Sequence, residues 1–117
     1  MSIEEIRAHC LSKKFVTEDL PFGQDTLAFR VAKKIFLMTG LNAETVSINL
    51  KCDPEGAINL REVHEEVKPG YHMNKKHWNT VDCEGDPSKT KIKELIDHSY
   101  DLVIAGLPLT IRRDLFS

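Results

Sequence analysis

Two short stretches fix the folding problem for this chain. Leu27, Phe29 and Val31 alternate with Thr26, Ala28 and Arg30, and Val46, Ile48 and Leu50 alternate with Ser47, Asn49 and Lys51. A period of two marks a strand with one buried and one wet face. Lys33-Lys34 follows the first stretch and reads as a hairpin tip, with Ile35 to Thr39 as the return strand. Phe15 to Asp19 is a further short strand, before a turn at Pro21-Phe22-Gly23, and Trp78 to Cys83 is the last. Strands clustered this closely pair antiparallel through short turns, and the sheet needs an apolar layer over its inner face.

Helices supply that layer. Ser2 followed by Glu5 forms a capping box, and Ile3, Ile6 and Cys10 recur at helical spacing, so a helix is expected over 2–12. Asp53-Pro54 opens a second helix, with Asp as cap, Pro in the first turn and Glu55 favourable to the dipole. Ala57, Leu60, Val63 or His64, and Val67 give it an inner stripe up to the break at Pro69-Gly70. Asp86-Pro87 repeats the start signal for a long helix with Ile92, Leu95, Ile96, Ser99 and Val103 inward, stopped by Gly106 and Pro108. Helix, several strands, helix, strand, helix is an α+β order. One domain is expected over 1–112, with a short loose tail over 113–117.

Composition narrows the function classes. A chain of 117 residues, 41% hydrophobic and 29% charged, suits one soluble core. No apolar run approaches the ~20 residues of a membrane span, so no membrane partner is expected. The opening Met-Ser-Ile-Glu-Glu-Ile is acidic where a secretory signal is basic and then apolar. Cys10, Cys52 and Cys83 are odd in number and widely spaced, which argues against a disulfide framework and points to a reducing, cytoplasmic setting. A net charge of −2 gives no global attraction to nucleic acid, so any such contact must be local.

A local patch exists. Gly70 to Val81 carries Lys75, Lys76, His72, His77, Tyr71 and the single tryptophan, Trp78, with no acidic residue. Lysines on a turn suit phosphate contact, and His77 and Asn74 can donate hydrogen bonds. The bland alternative is a solvated turn. Tyr71 and Trp78 could stack on bases, although a tryptophan opening a strand more often anchors the core. Arg30, Lys33 and Lys34 form a second basic hairpin, or else protect an edge against aggregation. Ser47, Asn49 and Lys51 point together from one strand. Under a groove they would, with His72, hold a small anion; uncovered, they are an ordinary solvent face.

Catalytic and metal chemistry finds little support in the spacing. His72-x4-His77 does not put two ligands on one helical face, Asp53 is accounted for as a helix cap, and Cys52 reads as a small buried residue. Asp97, His98 and Ser99 are consecutive, point about 100° apart on a helix and cannot converge into a triad. No phosphate-binding loop, dinucleotide fingerprint or nucleophile elbow is present. No catalytic residue, metal or cofactor is therefore expected.

Several segments resemble the MmcQ/YjbR family of small bacterial proteins: Pro21-Phe22-Gly23 with Asp25-Thr26-Leu27, Ser47 to Glu55, Pro69 to Val81, and Leu95 to Tyr100. The likeness runs in order over about 2–112. It implies an antiparallel sheet with flanking helices and a DNA-binding role through a double-wing arrangement, a role assigned by structural analogy. The chain departs from the family pattern at 82–88, which is acidic, and at Lys33-Lys34, where a glycine-containing turn is frequent. The expectation is a non-catalytic DNA-binding protein that contacts phosphates through Asn74, Lys75, Lys76 and His77 and through Arg30, Lys33 and Lys34. The alternative is a module for an acidic protein or small anion, centred on Ser47, Asn49, Lys51 and His72.

Overall fold

A computed structural model describes residues 1–65, 67–70, 76–84 and 88–116. The elements are α1 (Ile3–Leu11), β1 (Val16–Asp19), β2 (Thr26–Val31), β3 (Lys34–Gly40), β4 (Ser47–Lys51), α2 (Pro54–Val63), β5 (Val67–Pro69), β6 (Trp78–Asp82), α3 (Lys89–Ala105) and α4 (Leu109–Phe116). The strands form one antiparallel sheet in the order β1-β2-β3-β4-β6-β5. The α+β class and the antiparallel sheet are as the sequence pattern requires.

Helices cover one face. Ile6 and Cys10 of α1 and Ile92, Leu95, Ile96, Tyr100 and Val103 of α3 join Phe29, Leu37, Ile48, Leu50 and Val81 in a single core, with Leu60 of α2 packed against it. Burying a side chain of this size contributes ~1.5–3 kcal/mol, which is why the inward alternation of β4 and β6 is strict. The edges are defended by composition: β1 ends Glu18-Asp19, and β5 is three residues long and ends in a proline.

Several boundaries differ from the sequence reading. The first hairpin turns at Ala32-Lys33, both with positive φ (49° and 69°), so Lys34 opens β3 and does not share the tip. α2 stops at Val63, which is exposed, and Val67 belongs to β5, because His64 leaves the helical region and its N–H closes the last turn on Leu60. Ser88 is the cap of α3, its hydroxyl accepting from the Lys91 N–H; Asp86-Pro87 lies outside the described residues. Of the loose tail expected over 113–117, residues 113–116 are helical, part of α4, with Phe116 edge-on to Phe15.

One irregularity shapes an end of the sheet. Phe29 pairs with Leu37 but Arg30 pairs with Ile35, so Phe36 is bulged. Pairing between β3 and β4 ends at Leu37–Leu50, and the next pair, Phe36 with Lys51, does not form. The fully buried Ser99 hydroxyl fills that gap, donating to the Phe36 carbonyl at 2.6 Å and accepting from the Lys51 N–H at 2.9 Å. Removing it strands two backbone groups, each at about 1–3 kcal/mol. Ser99→Ala is therefore expected to lower stability by roughly 2–4 kcal/mol in urea denaturation, whereas Ser99→Thr, which keeps the hydroxyl, should lose less.

Candidate nucleic-acid interface

The register fixes which turns lie together. Lys51 at the end of β4 is opposite Trp78 at the start of β6, and the Cys52 N–H donates to the His77 carbonyl at 2.7 Å. Lys34 begins β3 at the same end, since β3 runs antiparallel to β4. The Lys33–Lys34 hairpin and the Lys76–His77 turn thus share one end of the sheet. At this end is a concavity of about 570 Å³ lined by Arg30, Lys33, Lys34, Lys51 and Trp78, with Val103 and Leu107 closing it from the end of α3; Lys76 and His77 are not on its wall.

The basic side chains there have different tasks. Arg30 is committed locally: Nε donates to Asp19 at 3.0 Å and Nη1 to the Lys33 carbonyl at 2.9 Å, which braces the hairpin. Lys33 and Lys34 are exposed and Lys51 is half-buried; among the described residues no carboxylate pairs with any of the three. Trp78 is half-buried, not a core residue. Gly70 holds it in place, because a Cβ at position 70 would sit 2.8 Å from the Trp78 Cβ, and the Gly70 N–H donates to the Trp78 carbonyl. Lys76 is exposed and His77 half-buried. Tyr71, His72, Asn74 and Lys75 lie outside the described residues.

The Ser47/Asn49/Lys51 row lies on the face opposite the helices. Asn49 accepts from the Thr80 hydroxyl at 2.6 Å, and the Ser47 carbonyl accepts from Thr39. Of this row only Lys51 lines the basic concavity.

The run Asp97 to Tyr100 diverges as helix geometry requires. Asp97 takes Lys13 at 2.8 Å and His9 at 2.7 Å, His98 takes Asp53 at 3.0 Å, Ser99 bridges β3 and β4, and the Tyr100 hydroxyl donates to the Lys14 carbonyl. Burial opposes the ionisation of Asp97, but the hydrogen bonds from Lys13 and His9 outweigh it and hold the carboxyl below its usual range. The histidine whose side chain clusters with Cys52 and Asp53 among the described residues is His98, a neighbour that sequence reading missed because 45 residues separate it from Asp53; His72 lies outside the described residues. Burial raises the Cys52 thiol, so no resting thiolate is implied.

With this geometry in hand, comparison with known proteins places the chain. The sequence profile of the YjbR family matches residues 11–102. The chain belongs to the YjbR family. Escherichia coli O157:H7 protein YbdF is 36% identical over 104 residues, covering 89% of this chain and 85% of that one. Escherichia coli K12 protein YjbR is 31% identical over 108 residues, 92% of each chain. Both are described as uncharacterised. The crystal structure of Deinococcus radiodurans protein DR2400, a DUF419 domain, superposes with a TM-score of 0.92 at 32% identity, covering 97% of this chain and 87% of that one. A Pseudomonas syringae protein superposes at 0.76 with 28% identity, covering 87% of this chain and 98% of that one. The profile spans the basic hairpin, Lys51 and Trp78, so the basic end lies within the YjbR domain.

Asp53 yields a pH prediction. The Gly56 N–H and, against the pull of burial, His98 hold its carboxyl below the ordinary 3.8. A depressed carboxylate stabilises the fold fully above its unfolded value and loses that contribution as pH falls through the folded one. Asp53→Asn keeps a capping side chain without the charge. Its stability deficit against wild type in urea should be largest near neutral pH and shrink below about pH 3.8.

Proposed function

We propose that this YjbR-family protein is a non-catalytic, cytoplasmic DNA-binding protein whose phosphate contacts come from one basic end of its sheet. The observation that carries the reading is that the Lys33–Lys34 hairpin, Lys51 and the Lys76–His77 turn share one end of the sheet in a mildly acidic molecule. Two basic turns at one end of a sheet are what a two-winged contact needs, and lysines there act as point charges on the phosphate backbone. Lys33 adds support. It holds a left-handed conformation that costs ~1–2 kcal/mol for a non-glycine residue, where glycine would cost least. Strain kept at a charged, exposed turn fits selection for binding over stability. No described helix offers an Arg, Asn or Gln face for base readout, so binding is to backbone and not to sequence.

A second reading has its own observation. The concavity's volume is that of a small-ligand site, and Trp78 with Val103 and Leu107 gives it an apolar wall, so a phosphorylated small molecule would fit.

Fluorescence anisotropy of labelled duplex DNA at two salt concentrations tests the proposal. Wild type should bind with a salt slope, and Lys33→Glu/Lys34→Glu should weaken binding and reduce the slope by roughly one unit per lost phosphate contact. Lys33→Gly should weaken binding while raising stability by up to about 1 kcal/mol. Absence of binding by folded protein at low salt contradicts DNA contact. Saturable binding of inorganic pyrophosphate in its place would favour the small anion.

A further inference from the structure

On the other side of Lys51 the chain turns into a second, chemically different place. Cys52 follows β4, Asp53 caps α2 and His98 projects from α3. One ligand atom from each, the thiol sulfur, a carboxylate oxygen and an imidazole nitrogen, lies within 4.8 Å of the other two. The thiol is 3.9 Å and the imidazole nitrogen 3.0 Å from the same carboxylate oxygen. A cavity of about 370 Å³ between α2 and α3 opens onto all three, with His64 and Glu94 on its wall.

The arrangement does not suit a nucleophile relay. In a relay the acid and the thiol engage opposite nitrogens of the imidazole, so that the ring passes a proton between them. Here the thiol and the imidazole Nε2 both approach the same Asp53 oxygen, so the carboxylate and not the ring stands between them. Three different donor atoms converging on one point is the pattern of a metal centre.

We propose that Cys52, Asp53 and His98 form a three-ligand site for a zinc-class divalent ion, with the fourth position open to the cavity. Thiolate, imidazole and carboxylate suit zinc and cobalt and disfavour magnesium and calcium. Metal–ligand bonds of ~2.0–2.3 Å in a tetrahedron set ligand atoms roughly 3.3–3.6 Å apart. The existing separations need to change by about an ångström, which the half-exposed His98 side chain can supply. The ion takes the place of the proton shared by His98 and Asp53, and the Cys52 proton leaves to solvent. One thiolate and one carboxylate then neutralise the dication, offsetting the unfavourable positive end of α2.

A second observation points to the same place. Asn79 is 2% exposed, and its amide nitrogen has no hydrogen-bond partner among the described residues. Its Oδ1 is held by Arg61 at 2.7 Å. Asn79 lines a small cavity that Cys52 and His98 also line. A buried orphan donor costs about 1–3 kcal/mol, and a water or other oxygen ligand in that small cavity, beside Cys52 and His98, would relieve it.

The test is titration of the reduced full-length protein with Co(II), followed by displacement with Zn(II). The expected result is a near-ultraviolet thiolate-to-cobalt absorption with tetrahedral visible bands, at one ion per chain, bleached by zinc. Cys52→Ala should abolish the thiolate absorption, and His98→Ala should weaken cobalt binding more than about 100-fold, since even outer partners of a metal cost ~10–100-fold. His98 is outside the core, so that variant stays informative if Cys52→Ala folds poorly. Cys10→Ser, in the α1 core away from the cluster, should leave the spectrum unchanged. No thiolate band at saturating cobalt, or a band of undiminished affinity in His98→Ala, overturns the proposal.

Discussion

The Ser99 hydroxyl does for this fold what a backbone pair does elsewhere in the sheet. The bulge at Phe36 ends the β3–β4 ladder one pair early, and Ser99 reaches from α3 to satisfy both stranded groups. The side chain is fully buried and both partners are backbone, so the bridge fixes α3 against the sheet as well as β3 against β4. Three neighbours on the same helix extend the hold: Asp97 to His9 of α1, His98 to the cap of α2 and Tyr100 to the segment after α1. Four consecutive residues thereby tie one helix to five parts of the chain. The basic concavity opens beside Lys51, whose N–H this bridge anchors.

The separation of tasks along β4 is also physical. Leu50 packs inward, Lys51 faces the basic concavity, and Cys52 and Asp53 turn toward α2 and α3. The adjacent residues Lys51 and Cys52 therefore divide a cationic surface from a cluster of a thiol, a carboxylate and an imidazole. Net charge says little about either, because both are local. Lys33, Lys34 and Lys51 keep their charge unpaired among the described residues, while Arg30 spends its own on Asp19 and the hairpin backbone.

What the sequence makes readable is what period and capping chemistry control. The alternation of β4, the capping box at Ser2 and the Asp53-Pro54 start all follow from local rules and are present in the structure. Misreadings arise where two local rules compete. Val67 continues the spacing of the α2 stripe, yet His64 leaves the helical region and Val67 pairs with Val81. Ala28 reads as outward by alternation and is nonetheless fully buried, a methyl group flanked in register by Asp19 and Met38. The bulge left only a faint signal, the unbroken apolar run Ile35 to Met38. The site was half visible: both basic turns stand out in the sequence, but their common end follows only from the Lys51–Trp78 register. His98 beside Cys52 is a product of how α3 crosses the sheet, and no spacing rule reaches across that distance.

The central claim is that the basic end of the sheet is the binding surface, and Trp78 is a built-in reporter of it. It is the single tryptophan of the chain and lines the concavity beside Lys51. Its emission, followed while unlabelled duplex DNA is titrated at low salt, should shift or quench saturably, and the change should reverse when salt is raised. An unperturbed Trp78 under conditions where DNA is demonstrably bound would contradict the account, because the contact would then lie elsewhere on the molecule.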